Sequence, residues 1–333
     1  MANSRLNFLL AVFYIAAALS GCRKESLKIN YELGIFPDSV IALEGLNTSY
    51  DDYNMDIEAS RINSSRQVVF SSNRKSSGGE FDLVSGTLGY TFGQTTGYFS
   101  MYSEMTPDSF SEGLIDVFNT GGDEFGPLRF FNSDNGLEYM AASTRTADNG
   151  LDIVWTSYIP VYSNPPVFEA PVPATLFNSP ADDAYLSLGT TGDTAWFCSD
   201  RDGSFDIYMT VRPWQSDMGQ WFSSAPVTPA AVDSINTGGS DEKCPFVRGR
   251  YMLFASDMPG GYGGFDLYFS VFRDGKWSSP VNLGSGINSA ADEYRPVLGV
   301  DLKFENHFLI FSSDRPGGKG GFDLYFTGLT LPL

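Results

Sequence analysis

The feature that most constrains this chain is a phrase it repeats. Near the C-terminus, Phe308 to Ser312 is apolar and β-prone. Asp314-Arg315 and a Pro316-Gly317-Gly318-Lys319-Gly320-Gly321 run then break regular structure, and Phe322-Asp323-Leu324-Tyr325-Phe326 is β-prone again. The pattern reads as strand, glycine-rich turn, strand. The same order recurs from Ser256-Asp257-Met258 to Phe265-Asp266-Leu267, and from Ser199-Asp200-Arg201 to Phe205-Asp206-Ile207. A worn version joins Thr144-Arg145 to Leu151-Asp152-Ile153, and the earliest joins Ser72-Asn73-Arg74 to Phe81-Asp82-Leu83. The five copies are centred on Asp82, Asp152, Asp206, Asp266 and Asp323.

A second phrase precedes each copy: Asn and Ser or Thr, then a pair of acids. It runs Asn47-Thr48 with Asp51-Asp52, Asn119-Thr120 with Asp123-Glu124, and Asn178-Ser179 with Asp182-Asp183. It continues as Asn236-Thr237 with Asp241-Glu242 and Asn288-Ser289 with Asp292-Glu293. In three copies a proline follows at one offset from the acids (Pro127, Pro245, Pro296). Two phrases kept in one order through every copy define a repeat architecture. Their Ser-Asp-Arg, Gly-rich turn and aromatic-Asp-Leu-Tyr elements resemble the PD40-type, WD40-like repeat of TolB and of many bacterial outer-membrane lipoproteins. That resemblance covers Asn47 to Phe326 and implies a β-propeller. It is specific for fold and much less so for function, because propellers host unrelated activities.

The fourth repeat lays out one blade. Cys244 to Val247 is read as the inner strand, Tyr251 to Ala255 as the second and Phe265 to Phe272 as the third. Asp274-Gly275 is a hairpin signal, and Lys276 to Leu283 is the fourth strand. The last copy lacks such a fourth strand, since Leu333 follows soon after Phe326. Asp38 to Asn47 resembles Ser279 to Asn288, so the stretch near Ser39 to Leu43 is expected to complete the final blade and remove the ring's free edges. The fold expected is all-β: a five-bladed β-propeller of four-stranded antiparallel blades, the last closed by an N-terminal strand. The longest insertion, Tyr90 to Gly113, is a natural place for a specific function.

At the N-terminus, Arg5 precedes an apolar Leu6 to Leu19, and Leu19-Ser20-Gly21-Cys22 resembles a bacterial lipobox. The resemblance implies a lipoprotein signal peptide over 1–21, a lipidated tether over 22–36 with the acyl chains on Cys22, and one propeller domain over 37–333. It implies a location at the outer membrane, with the periplasmic and surface faces both open. A formal net charge of −19 repels phosphate backbones and anionic headgroups. Nucleic acid is therefore excluded as a partner, and membrane attachment is assigned to lipid on Cys22.

The repeated Asp82, Asp152, Asp206, Asp266 and Asp323 invite a catalytic reading. A catalytic group is needed once, however, and a turn-capping carboxylate is needed in every blade. They are read as structural, with Arg74, Arg145, Arg201 and Arg315 pairing with these or neighbouring acids, while Met258 replaces Arg in the fourth copy. The acid pairs either tie one blade to the next or ring the channel, where oxygen ligands would suit calcium. No other cofactor is implied. His307 has no nucleophile beside it, and Cys198 and Cys244 read as buried thiols, a disulfide between them being allowed in an exported protein.

Two functions follow. The first is a non-catalytic binding or scaffold module for an envelope protein or a glycan, with no catalytic or metal residue assigned. The alternative is a carbohydrate-active enzyme with acids at the channel and Trp155, Trp196, Trp214, Trp221 or Trp277 stacking on sugars. Because every acid noted repeats in register, the binding module is preferred. An enzyme would need a singular acid on an inner strand.

Overall fold

The computed structural model describes residues 29–57, 65–145, 150–159 and 167–332. Five antiparallel sheets follow one another along the chain as the blades of a five-bladed β-propeller. Blade 1 holds β2 (Asp52–Ile57), β3 (Ser65–Ser72), β4 (Asp82–Phe92) and β5 (Phe99–Glu104). Blade 2 holds β6 (Asp123–Asn132), β7 (Leu137–Arg145), β8 (Leu151–Tyr158) and β9 (Val172–Pro173). Blade 3 holds β10 (Asp183–Leu188), β11 (Thr194–Ser199), β12 (Asp206–Val211) and β13 (Ala230–Ala231). Blade 4 holds β14 (Glu242–Arg248), β15 (Tyr251–Ser256) and β16 (Asp266–Arg273), with an outer strand in two pieces, β17 (Lys276–Trp277) and β18 (Val281–Asn282). The outer strand expected as one run is interrupted around Pro280, which has no N–H to give to a ladder.

Blade 5 supplies β19 (Glu293–Gly299), β20 (His307–Ser313) and β21 (Asp323–Leu329) from the C-terminus, and β1 (Ile41–Ala42) completes it. β1 runs antiparallel to β21 with Ile41 opposite Phe326 and Ala42 opposite Tyr325, so the ring closes as expected. The attachment begins before β1. Phe36 is fully buried among Tyr90, Phe304, Phe308 and Phe326, stacked on Phe304 at 3.7 Å between ring centroids. Its N–H and C=O are both held by the Asn306 side-chain amide. Docking therefore starts ahead of the boundary drawn at residue 37. Cys22 and the signal segment lie outside the described residues.

The insertion at Tyr90 to Gly113 becomes the end of β4, the outer strand β5 and the start of helix α1 (Ser109–Asp116). Asp108 caps α1 by accepting from the Ser111 N–H at 2.6 Å. Leu114 and Ile115 of α1 pack against Val69, Leu83 and Met140, between blades 1 and 2. A second helix, α2 (Met218–Phe222), buries Met218, Trp221 and Phe222 against blades 2 and 3.

Candidate functional site

Each inner strand carries the same irregularity. The register with the second strand slips between Tyr53 and Asp56, Phe125 and Leu128, Ala184 and Ser187, Lys243 and Phe246, and Tyr294 and Val297. Within each slip one residue adopts a left-handed backbone: Asn54, Gly126, Tyr185, Cys244 and Arg295, with φ from 48° to 59°. These β-bulges turn successive side chains toward the propeller axis. The recurrent prolines, Pro127, Pro245 and Pro296, stand directly after the bulge, where the ladder is broken and an N–H is dispensable.

One end of the channel is filled. The aromatic of the first phrase and the residue after the acid pair meet there, with Tyr53 5.1 Å from Phe81, 5.7 Å from Phe125 and 5.4 Å from Phe322 between ring centroids. Lys243 lies 4.2 Å over Phe205 and 5.1 Å over Phe265. The acids at this end are consumed in clasps. The first acid of each pair (Asp51, Asp123, Asp182, Asp241, Asp292) accepts the N–H of Phe322, Phe81, Leu151, Phe205 and Phe265 in turn, at 2.8 to 3.0 Å. The second acid accepts from the Ser or Thr of its own phrase in every copy.

Arg74, Arg201 and Arg315 reach that second acid, pairing with Asp52, Asp183 and Glu293. Arg145 pairs with Asp182 at 3.2 Å instead, and Met258 occupies the arginine position facing Glu242. In the two copies without that contact, burial pushes the second acid up to about 7, at Glu124 and at Glu242. Asp82, Asp152, Asp206, Asp266 and Asp323 each stand opposite a Ser or Thr of the second strand. Asp266 accepts the N–H groups of Tyr262 and Gly263, and Asp323 those of Lys319 and Gly320. Among the described residues, no cluster of His, Cys, Asp or Glu is arranged to hold a metal ion.

The other end of the channel, where the inner strands finish, is open as a cavity of about 300 Å³ lined by Asp56, Arg129, Glu138, Phe246 and Arg248 among others. Asp56 is the singular acid that sequence reading did not find. Its counterparts four residues after the second acid are Leu128, Ser187, Phe246 and Val297. The signal was present at that offset, but only the bulge shows that this position faces the channel.

Asp56 is 3% exposed and accepts the Arg129 N–H at 3.1 Å, with the Arg129 Nε at 3.5 Å. Burial pushes its carboxyl up to about 6, against the pull of the Arg129 and Arg295 charges. Arg295, in blade 5, crosses the axis. It donates to the Pro127 carbonyl at 2.9 Å and lies 5.8 Å from the Tyr185 ring centroid, in blades 2 and 3. Its Nε and Nη1 have no hydrogen-bond partner.

The other candidates are dispersed. Trp196, Trp221 and Trp277 are buried in the core, whereas Trp214 is 90% exposed beside a second depression that includes Asp134 and Arg212. Cys198 and Cys244 are free and buried, and burial pushes the Cys244 thiol up to about 12. His307 lies against Tyr251.

Neither a protein-family model nor a curated protein sequence matches the chain. Solved structures do match in fold. An endo-arabinase from Bacteroides thetaiotaomicron matches at 14% identity and TM-score 0.55, over 88% of this chain and 98% of its own. An α-L-arabinofuranosidase from Podospora anserina in complex with cellotriose matches at 13% and 0.51, over 92% and 99%. An exo-β-1,3-galactanase from Phanerochaete chrysosporium with β-1,3-galactotriose matches at 15% and 0.53, over 88% and 64%. The shared property is the five-bladed propeller.

These matches correct two expectations. The structural neighbours are glycoside-hydrolase propellers, not PD40-type or TolB-like repeat proteins. In this chain the acid pairs of the repeated phrases that carried that resemblance serve as clasps between blades, and Asp266 and Asp323 cap their own turns. The non-catalytic scaffold for an envelope protein falls with it, since the preference rested on the lack of a singular inner-strand acid, and Asp56 is one.

Proposed function

We propose that this protein is a carbohydrate-active enzyme of the glycoside-hydrolase type, working at the open channel mouth. The observation that carries the reading is Asp56: one unrepeated carboxyl, buried in the cavity and pushed up to about 6. A general acid for glycosidic cleavage must hold its proton near neutral pH, and burial of a carboxyl is the usual means. In this reading Asp56 protonates the leaving glycosidic oxygen. Glu138, from the second blade and lining the same cavity, is the second carboxylate that activates water or attacks the sugar. Phe246 and Phe131, which also line the cavity, offer apolar faces for sugar rings. The folds that resemble this one include proteins named for arabinan, arabinofuranoside and galactan cleavage, and two of those structures hold oligosaccharides.

The test is hydrolysis of arabinan, β-1,3-galactan and xylan oligosaccharides by the full chain. Asp56→Asn is expected to lower kcat by roughly 10²–10⁴-fold, the range of general-acid contributions. The wild-type rate should fall as pH rises through about 6, as the acid loses its proton. No hydrolysis of any glycan, or an unaffected Asp56→Asn, would overturn the assignment. Export and lipidation at Cys22, with attachment at the outer membrane, belong to the same proposal. Labelled palmitate should be incorporated by the wild type and not by Cys22→Ala.

A further inference from the structure

The cavity at the channel mouth continues outward. Gly189, Thr190 and Val247 line it and also line a depression of about 720 Å³ between blades 3 and 4. Thr191 and Asp193 line that depression and also the one of about 650 Å³ beside Trp214, between blades 2 and 3. The three hollows therefore adjoin around one turn, residues 189–193, which joins β10 to β11 on the face where the inner strands finish. Gly192 holds that turn at φ 66°, and a Cβ there would come within 2.6 Å of Met218 and 2.8 Å of Phe130. The turn is packed hard against its neighbours.

The middle hollow is lined by Trp196 and Trp277, whose rings meet edge to face at 6.1 Å between centroids, with Met209 and Phe272 beside them. The far hollow includes Trp214, which at 90% is the most exposed large apolar side chain among the described residues. A scattered exposed apolar residue needs no explanation by itself. Trp214 differs because its turn is tied down on both sides. The Arg212 N–H donates to the Asp193 carbonyl at 2.8 Å, and the Arg212 guanidinium donates to the Ser216 carbonyl at 3.1 Å and the Asp134 carboxylate at 3.3 Å. The Ser216 N–H and hydroxyl both donate to the Pro213 carbonyl, at 3.0 and 2.8 Å. The indole thus stands on a fixed turn in the wall of a hollow that also presents Asp134, Asn135 and Asp193. An aromatic face with polar groups at its edge suits a sugar ring, which has an apolar C–H face and a rim of hydroxyls. A fixed platform also loses little conformational freedom when it is occupied.

We propose that a glycan bound at the channel mouth runs outward past the turn between β10 and β11, and that Trp214 is the platform for a sugar ring at its far end. This inference rests on the glycan reading of the channel site, and it makes the substrate a chain rather than a short oligosaccharide. β12, which leads into Trp214, stands two strands outside β10, about 10 Å at ordinary strand spacing. A disaccharide held at Asp56 ends short of Trp214, whereas a longer chain reaches it.

The experiment is calorimetric titration of the full chain, in the cold to slow any turnover, with a disaccharide and a hexasaccharide from the arabinan, β-1,3-galactan and xylan series. In at least one series the hexasaccharide is expected to bind about tenfold tighter than the disaccharide. Trp214→Ala removes a side chain that lies almost wholly in solvent, so the variant should fold, which thermal melting checks. It is expected to lower the ratio of long-chain to short-chain affinity severalfold. Trp214→Phe keeps a flat aromatic face and should restore most of that ratio. A ratio unchanged in Trp214→Ala, or a wild type that binds both lengths equally, would overturn the inference and leave the glycan reading intact. Failure of every probe to bind would overturn both.

Discussion

Glu242 shows what a single residue exchange does to a repeated device. Where the repeat places arginine, this copy has Met258, so a buried carboxyl keeps its hydrogen bonds from Thr237 and Ser256 but has no cation. With its carboxyl raised to about 7, the folded protein binds a proton there between about pH 4.5 and 7 that the unfolded chain has released. The resulting stability is fully present below about pH 4.5 and is lost as pH rises through about 7. Glu124 behaves in the same way, because Arg145 pairs with Asp182. We therefore expect thermal stability to fall between about pH 5 and pH 8. Met258→Arg supplies the missing guanidinium and should flatten that fall, raising Tm at about pH 8 by about 2–4 °C with little change at about pH 5. Differential scanning calorimetry across pH tests it. An equal slope in both proteins would show that Glu242 does not set the dependence.

At the scale of elements, the joint between blades depends on one asparagine per repeat. Asn47, Asn119, Asn178, Asn236 and Asn288 each accept from and donate to the main chain of one third-strand residue in the preceding blade, at 2.7 to 3.0 Å. The amide acts as one residue of an outer strand, offering a donor and an acceptor in a fixed plane. Asn288 is 2% exposed, so Asn288→Ala leaves the Leu267 N–H unpaired away from water, while the Leu267 C=O keeps the Leu283 N–H. The expected loss is about 1–3 kcal/mol, or about 2–5 °C in Tm. Asn288→Asp keeps the acceptor alone and should fall between the two. This pairing explains why Asn recurs where Ser or Asp would not serve. It was not readable from sequence, because the partner lies a blade away.

For the molecule as a whole, closure decides stability. β1 is two residues long, yet it joins the chain ends through β21, and Lys319 reinforces the seam by meeting the Glu44 carboxylate at 2.9 Å. Phe36 adds an aromatic cage between blades 1 and 5. Deleting residues up to Leu46 exposes the β21 edge and removes Phe36, Leu43 and Leu46 from the core. We expect that truncation to lose cooperative unfolding and to aggregate. A truncated chain melting as sharply as the full one would show that the ring does not need its seam.

The sequence by itself determined the number of blades, their order and the way the ring shuts, because those follow from local phrases that recur at each junction. Asp323 with its turn, Asn288 with its acids and the likeness of Asp38 to Asn47 with Ser279 to Asn288 are all contiguous signals. What only the tertiary structure decided is which side chains meet at the axis. A bulge in each inner strand re-aims the residues within and after it, so Asp56, Arg129 and Arg295 converge from three blades although no spacing in the chain relates them. Repetition made the structural acids conspicuous. The acid proposed for the chemistry, Asp56, occurs once at its offset, and only the channel's geometry separates it from its neighbours.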